Sequence, residues 1–191
     1  MRLDHIAYRV KNRRKTAKFF KKAFGYTVER EFKIKFNDGS KAECLALIPS
    51  EDRHPSTAEW DVLLADAPTE GSVANVDFHS YHAPPEVFVS DGPKDSIVGN
   101  WVAERGGVGG IHHIAYQVDE VEETMREWEK LGYAGFYSDS PISCDNPKLT
   151  QVFTKPSELT GVIYELISRE GDGFCKDSVK KLMESTDTEE N

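Results

Sequence analysis

Positive charge is scarce in this sequence. Lysine and arginine number 24 against 33 aspartates and glutamates, a net charge of −9. A nucleic-acid surface needs the opposite balance, so that class of partner is excluded. A small anionic substrate is not, because one local metal or arginine reverses the local field. Long apolar runs are lacking as well. No stretch approaches the ~20 apolar residues of a membrane span. The first residues carry Arg2 and Asp4 in place of an apolar leader core. Cysteine is rare: Cys44, Cys144 and Cys175 are widely spaced, and no CxxC pair occurs. That pattern predicts free thiols in a reducing, cytoplasmic setting and argues against a thiolate zinc site.

What the chain does contain is a repeat. Residues 4–10 read Asp4-His5-Ile6-Ala7-Tyr8-Arg9-Val10, and residues 112–118 read His112-His113-Ile114-Ala115-Tyr116-Gln117-Val118. Both carry H-I-A-Y-x-V. In the first copy His5, Ala7 and Arg9 share one strand face and Ile6, Tyr8 and Val10 the other. A helical period follows over 12–24, with Ala17, Phe20 and Phe24 on one side and Gly25 as its stop. Strands are expected over 26–36 and 41–48, joined by Asn37-Asp38-Gly39, and again over 85–90. Residues 49–78, rich in proline and acids, read as a surface insertion, and His79 and His82 as loop residues.

Asp95 or Ser96 caps a helix bearing Ile97, Val98, Trp101 and Val102, and Gly106–Gly110 form a hinge. The second copy then repeats the order. It has a strand at 111–118, a helix at 120–131 stopped by Gly132, and strands near 133–138, 149–154 and 161–168. A short helix with Val179, Leu182 and Met183 on one face closes the chain. The expected fold is α+β: two tandem βαβββ modules forming a cupped, barrel-like mixed sheet around a metal site, plus a C-terminal helix. The expected divisions are 1–94 for the first module, 95–110 for the linker helix and hinge, 111–168 for the second module, and 169–191 for the C-terminal helix and tail.

The chemistry follows from the repeat. Glu165 shares a strand face with Ile163 and Ile167, and an inward acid is costly unless it is paired or bound to a metal. The first half offers His5 and Glu86 where the second offers His113 and Glu165. Imidazole and carboxylate together suit a divalent metal: iron(II), manganese, cobalt, nickel or zinc. His5, His113 and Glu165 are the expected ligands, with Glu86 as a possible fourth. Ala7 and Ala115, two residues past each histidine, leave room above the metal. Alternation places His112 on the face opposite His113. Glu43, on the third expected strand, is a candidate base for proton transfer.

At these residues the chain resembles the vicinal oxygen chelate superfamily of glyoxalases, bleomycin-resistance proteins and dioxygenases. Asp95-Ser96-Ile97, Gly106-Gly107 and Gly110-Ile111-His112-His113-Ile114-Ala115 look like the module junction of methylmalonyl-CoA epimerases. Thr150-Gln151-Val152-Phe153-Thr154-Lys155-Pro156, Tyr164-Glu165-Leu166-Ile167, Arg169-Glu170-Gly171 and Gly173-Phe174 resemble the end of 4-hydroxyphenylpyruvate dioxygenases. The resemblance implies an iron triad of His5, His113 and Glu165, a substrate pocket lined by Gln151 and Phe153, and a C-terminal helix closing over it. Those dioxygenases are about twice as long and carry an aromatic where Val179 stands and a glutamine where His112 stands. A smaller or non-aromatic 2-oxo acid is therefore the expected substrate, and a homodimer the expected assembly. Three functions remain open: an iron(II) dioxygenase, a metal-assisted epimerase, isomerase or lyase, and a non-catalytic small-molecule binder.

Overall fold

The computed structural model describes residues 1–49, 85–145, 148–170 and 174–186. Nearly all of the expected insertion, together with His79, His82, Gly171, Gly173 and the last five residues, lies outside that set.

The elements follow the repeat. The first half runs β1 (Arg2–Val10), α1 (Arg13–Phe24), β2 (Tyr26–Lys35), β3 (Lys41–Pro49) and β4 (Glu86–Asp91). Next comes α2 (Ile97–Glu104). The second half runs β5 (Gly109–Gln117), α3 (Val121–Leu131), β6 (Ile142–Asp145), β7 (Lys148–Phe153) and β8 (Ile163–Arg169), and α4 (Lys176–Ser185) ends the described chain. Local chemistry sets the ends. The Asn12 side chain accepts from the Lys15 amide at 2.9 Å and opens α1. Ser96, rather than Asp95, caps α2 by accepting from the Gly99 amide at 3.1 Å. Gly25 and Gly132 close α1 and α3 with φ of 77° and 69°, a conformation that costs a residue with a Cβ.

The eight strands of the described residues form one curled half-barrel sheet, in the order β2-β3-β4-β1-β5-β8-β7-β6. β1 and β5 run antiparallel at its centre, and each has a parallel neighbour, β4 and β8. The halves are thus related by an approximate two-fold axis between the repeated strands. On the convex side Ala17 and Phe20 of α1 pack on Leu45, Leu47 and Val87, and Met125 and Trp128 of α3 pack on Val152 and Leu166. On the concave side α4 lays Val179 and Met183 against Ala7, Phe88 and Phe174. Burying an aliphatic side chain of this size contributes about 1.5–3 kcal/mol, so α4 is held by its apolar face.

Two expectations need correcting. The strand near 133–138 is reduced to one bridge, Phe136 with Thr154, and the pairing strand lies later, at Ile142–Asp145. Ser138 folds back to bond the Ser140 carbonyl at 2.9 Å just before Pro141, and that turn displaces the strand. The cysteines are not all free. Cys144 on β6 and Cys175 at the start of α4 form a disulfide, and Cys44 alone is a buried thiol. The sheet brings together two residues that sequence spacing leaves 31 apart. A bridge closing a loop of this length contributes about 2–4 kcal/mol. Cys144→Ser is therefore expected to lose that much stability in urea titrations without reductant, and to match the wild type when dithiothreitol is present.

Candidate metal centre

The repeat builds the site through a matched pair of β-bulges. In the β1–β5 ladder Leu3 pairs with Tyr116 but His5 pairs with Ala115, so Asp4 is an extra residue in β1. Likewise Ala7 pairs with His113 but Tyr8 pairs with Ile111, so His112 is an extra residue in β5. Each histidine therefore follows a bulge, and bulges re-aim side chains. His5 Nε2 and His113 Nε2 end 3.2 Å apart. Glu165 Oε2 lies 3.4 Å from the first and 3.0 Å from the second. All three side chains are buried, and their donor atoms lie within 4.8 Å of one another.

These separations fit a metal. Donors bound at about 2.1 Å sit roughly 3.0 Å apart at right angles and roughly 3.4 Å apart at the tetrahedral angle. Glu165 Oε1 adds a second sign, being buried with no hydrogen-bond partner among the described residues. Such an anionic oxygen needs a cation or a donor.

The surroundings orient the ligands. The Asp4 carboxylate accepts from His5 Nδ1 at 2.7 Å, which turns the Nε2 lone pair toward the cluster. Arg169 Nε donates to the other Asp4 oxygen at 3.0 Å. On the second half His113 Nδ1 meets His112 Nδ1 at 2.8 Å. The bulge thus brings His112 to the cavity side, against the expectation from strict alternation. Phe174 stands edge-on to His5, and Phe153 lies 4.5 Å from the His113 ring.

Charge is distributed unevenly. Burial alone would lower the His5 pKa, but Glu165 and Asp4 outweigh it and hold it up at about 9. Burial works to raise Glu165, yet His5 and His113 pull it down to about 2. His113 goes the other way, lowered by burial more than Glu165 restores. Without metal, His5 therefore carries a proton that a ligand must lose. Its stabilising contribution is complete below its ordinary value of 6.5 and fades as the pH rises through about 9. Metal affinity should rise over that same window. Calorimetry of metal binding at pH 7.5, in buffers of differing ionisation enthalpy, should show about one proton released per metal.

The register places the remaining candidates. Ala115 pairs with Glu165, and its counterpart Ala7 pairs with Phe88. The two-fold mate of Glu165 is therefore Phe88, not Glu86. Glu86 lies beside His5 in the ladder, but its carboxylate is held by Arg169 Nη2 at 3.0 Å. Glu43 is not brought to the cluster. It pairs with Arg13 and with Lys33, the latter at 2.8 Å, where Glu31 and Asp91 also meet Arg13. Those ion pairs hold the Glu43 carboxyl below its ordinary range.

The cluster opens into a narrow cavity of about 30 Å³. Gln151 and Phe153 line it, as do Val179, Leu182 and Met183 of α4. Gln151 Nε2 donates to Ser178 Oγ on α4 at 2.9 Å, tying the covering helix to the cavity wall. Arg9 and His112 also line it, and sequence reasoning missed both as site residues. The doubled histidine was the available signal for His112.

A curled sheet of two βαβββ halves, with a buried His-His-Glu cluster in its cup, defines a divalent-metal protein of the paired-module class. A family model for the Glyoxalase/Bleomycin resistance protein/Dioxygenase superfamily matches residues 4–143, and the chain belongs to that superfamily. No protein of curated function matches the sequence significantly. Among solved structures it is similar to a methylmalonyl-CoA epimerase, at 19% identity and a TM-score of 0.60, covering 90% of this chain and 97% of that one. A mutant 4-hydroxymandelate synthase from Streptomyces coelicolor gives 16% identity and a TM-score of 0.70. That match covers 100% of this chain and 54% of the synthase. A Streptomyces coelicolor methylmalonyl-CoA epimerase solved with 2-nitronate-propionyl-CoA gives 19% and 0.54, covering 90% of this chain and 99% of the epimerase. At these identities the likeness shows the fold. No helix among the described residues is long and apolar enough to cross a membrane.

Proposed function

We propose that this protein is a non-haem iron(II) dioxygenase acting on a small 2-oxo acid, with the metal held by His5, His113 and Glu165. The observation that supports this reading is that, among the described residues, the donor set stops at three. Phe88 occupies the two-fold mate of the Glu165 position, and Arg169 engages Glu86. Two histidines and one carboxylate leave the other coordination positions open. When bound, iron(II) would supply Lewis acidity toward adjacent substrate oxygens and redox chemistry toward dioxygen. Cobalt, manganese, nickel and zinc accept the same donors.

The chain's own residues do the rest. Asp4 keeps the His5 Nδ1 proton in place and so fixes which nitrogen faces the cavity. Phe153 and Phe174 wall the histidines, and α4, fastened through Gln151 and Ser178, excludes water from the cavity. A second reading, a metal-assisted epimerase, isomerase or lyase, draws on Glu86 standing in register with His5. Released from Arg169, that carboxylate would be a candidate fourth donor.

Oxygen consumption separates the two. Iron-loaded protein given a panel of 2-oxo acids should take up oxygen with at least one of them. Deuterium incorporation into a candidate acid with no oxygen uptake would favour the second reading and refute the first. A homodimer is the assembly we propose, and sedimentation of the purified chain tests it.

A further inference from the structure

We propose that the Cys144–Cys175 bridge is a redox latch on α4: a dithiol that reduces it frees the start of the helix and opens the metal cavity. This goes beyond the reaction assigned above, because it concerns access to the cluster and not the chemistry there.

The placement of α4 carries this. The helix touches both edge strands of the sheet, β2 and β6, so it crosses the mouth of the cup. Its far end is held by exposed polar bonds to the β2–β3 turn. There Glu184 accepts from the Asn37 amide at 2.7 Å and from Asn37 Nδ2 at 3.1 Å, and Lys180 Nζ donates to Asn37 Oδ1 at 2.8 Å. The near end is fastened covalently. Cys175, the N-cap residue of α4, is bonded to Cys144 on β6. No side chain caps this end by a hydrogen bond. The bridge and the Gln151–Ser178 bond tie the first turn to the second half.

The metal site lies under this helix. Val179, Leu182 and Met183 line the cavity, and Phe174, next to Cys175, stands edge-on to the His5 ring at 5.1 Å. A cavity of about 30 Å³ is far below the ~300–1,000 Å³ of ordinary ligand pockets. An organic acid therefore reaches the cluster only when the cover shifts. Reduction supplies the release. A thiolate of the dithiol attacks the Cys144 sulfur, which is half-buried where Cys175 is buried. The S–S bond breaks, and Cys175 leaves as a thiolate and takes up a proton. The second thiol of the reductant then displaces Cys144, which also takes up a proton. The bridge gains two electrons and two protons, and the dithiol becomes a disulfide. Without the crosslink the near end of α4 opens more often.

Hydrogen–deuterium exchange on the full chain, oxidised and then reduced with dithiothreitol, tests the latch without metal or substrate. Amides of α4 should exchange about tenfold or more faster after reduction, while those of α1 and α3 change less than about twofold. Cobalt(II) uptake, followed by absorbance after anaerobic removal of the reductant, should quicken by about tenfold or more. Its equilibrium affinity should stay within about threefold, because entry and release pass through the same opening. Cys175→Ser should behave as the reduced wild type with or without dithiothreitol. Equal α4 exchange in the two redox states of the wild type overturns the latch, and so does cobalt(II) uptake at one rate in both. Protection lost equally from α1 and α3 overturns it too, since the bridge would then be a general staple. Three titratable thiols in unfolded protein purified without reductant would mean that no bridge forms, as an intact one leaves only Cys44. If cobalt(II) does not bind at all, the metal reading falls, and exchange over α4 still decides the latch.

Discussion

Arg169→Met is expected to lower the unfolding free energy by about 3–5 kcal/mol, the cost of leaving buried charges without their partner. The Arg169 side chain is 9% exposed and bonds two carboxylates at once, Asp4 at 3.0 Å and Glu86 at 3.0 Å. Asp4 is itself 4% exposed, so solvent cannot take over when the guanidinium is gone. Burial would raise the Asp4 carboxyl, and His5 and Arg169 together hold it below its ordinary range. Losing Arg169 removes one of those two cations. Urea denaturation at pH 7 measures the loss. Adding Glu86→Gln should restore part of it, because the more exposed of the two orphaned charges is then neutral. A loss under about 1 kcal/mol would place this network among ordinary surface ion pairs and undo the argument that Arg169 holds Glu86 away from the metal.

The second large effect is on metal affinity. His113→Ala should weaken divalent-metal binding by on the order of 10²–10³-fold, one ligand's share of a site worth about 10–16 kcal/mol. His112→Phe removes a partner of the ligand and not the ligand, so its cost should stay near the 10–100-fold typical of supporting residues. Competition titrations against a chelating dye give both numbers. A larger loss in His112→Phe than in His113→Ala would mean that His112, not His113, carries the donor atom. The two-residue run His112-His113 makes this a necessary control, since the bulge turns both rings toward one cavity.

The βαβββ repeat was legible because it is local. Period-two strands, period-3.6 helices and the glycine stops Gly25 and Gly132 after the first helix of each half all read from neighbouring residues, and so did the histidine at the start of each half. What escaped was set by register. Strict alternation sent His112 to the wrong face because nothing local announces a bulge. Matching Glu86 to Glu165 by order along the chain was off by one inward position, and the ladder makes Phe88 the true mate. The Asp4–Arg169–Glu86 network and the Cys144–Cys175 bridge join residues far apart in sequence, which only sheet order brings together. Glu43 looked available as a base until the fold placed Arg13 and Lys33 on it.

One measurement bears most directly on a three-donor site: metal titration of the purified chain beside Glu165→Gln and Glu86→Gln. The wild type should bind one divalent ion per chain. Glu165→Gln should lose that affinity by about 10²-fold or more, and Glu86→Gln should keep it within about tenfold, the lower bound for a supporting residue. Comparable losses in the two variants would contradict the account, because Glu86 would then be a ligand and the site a four-donor one.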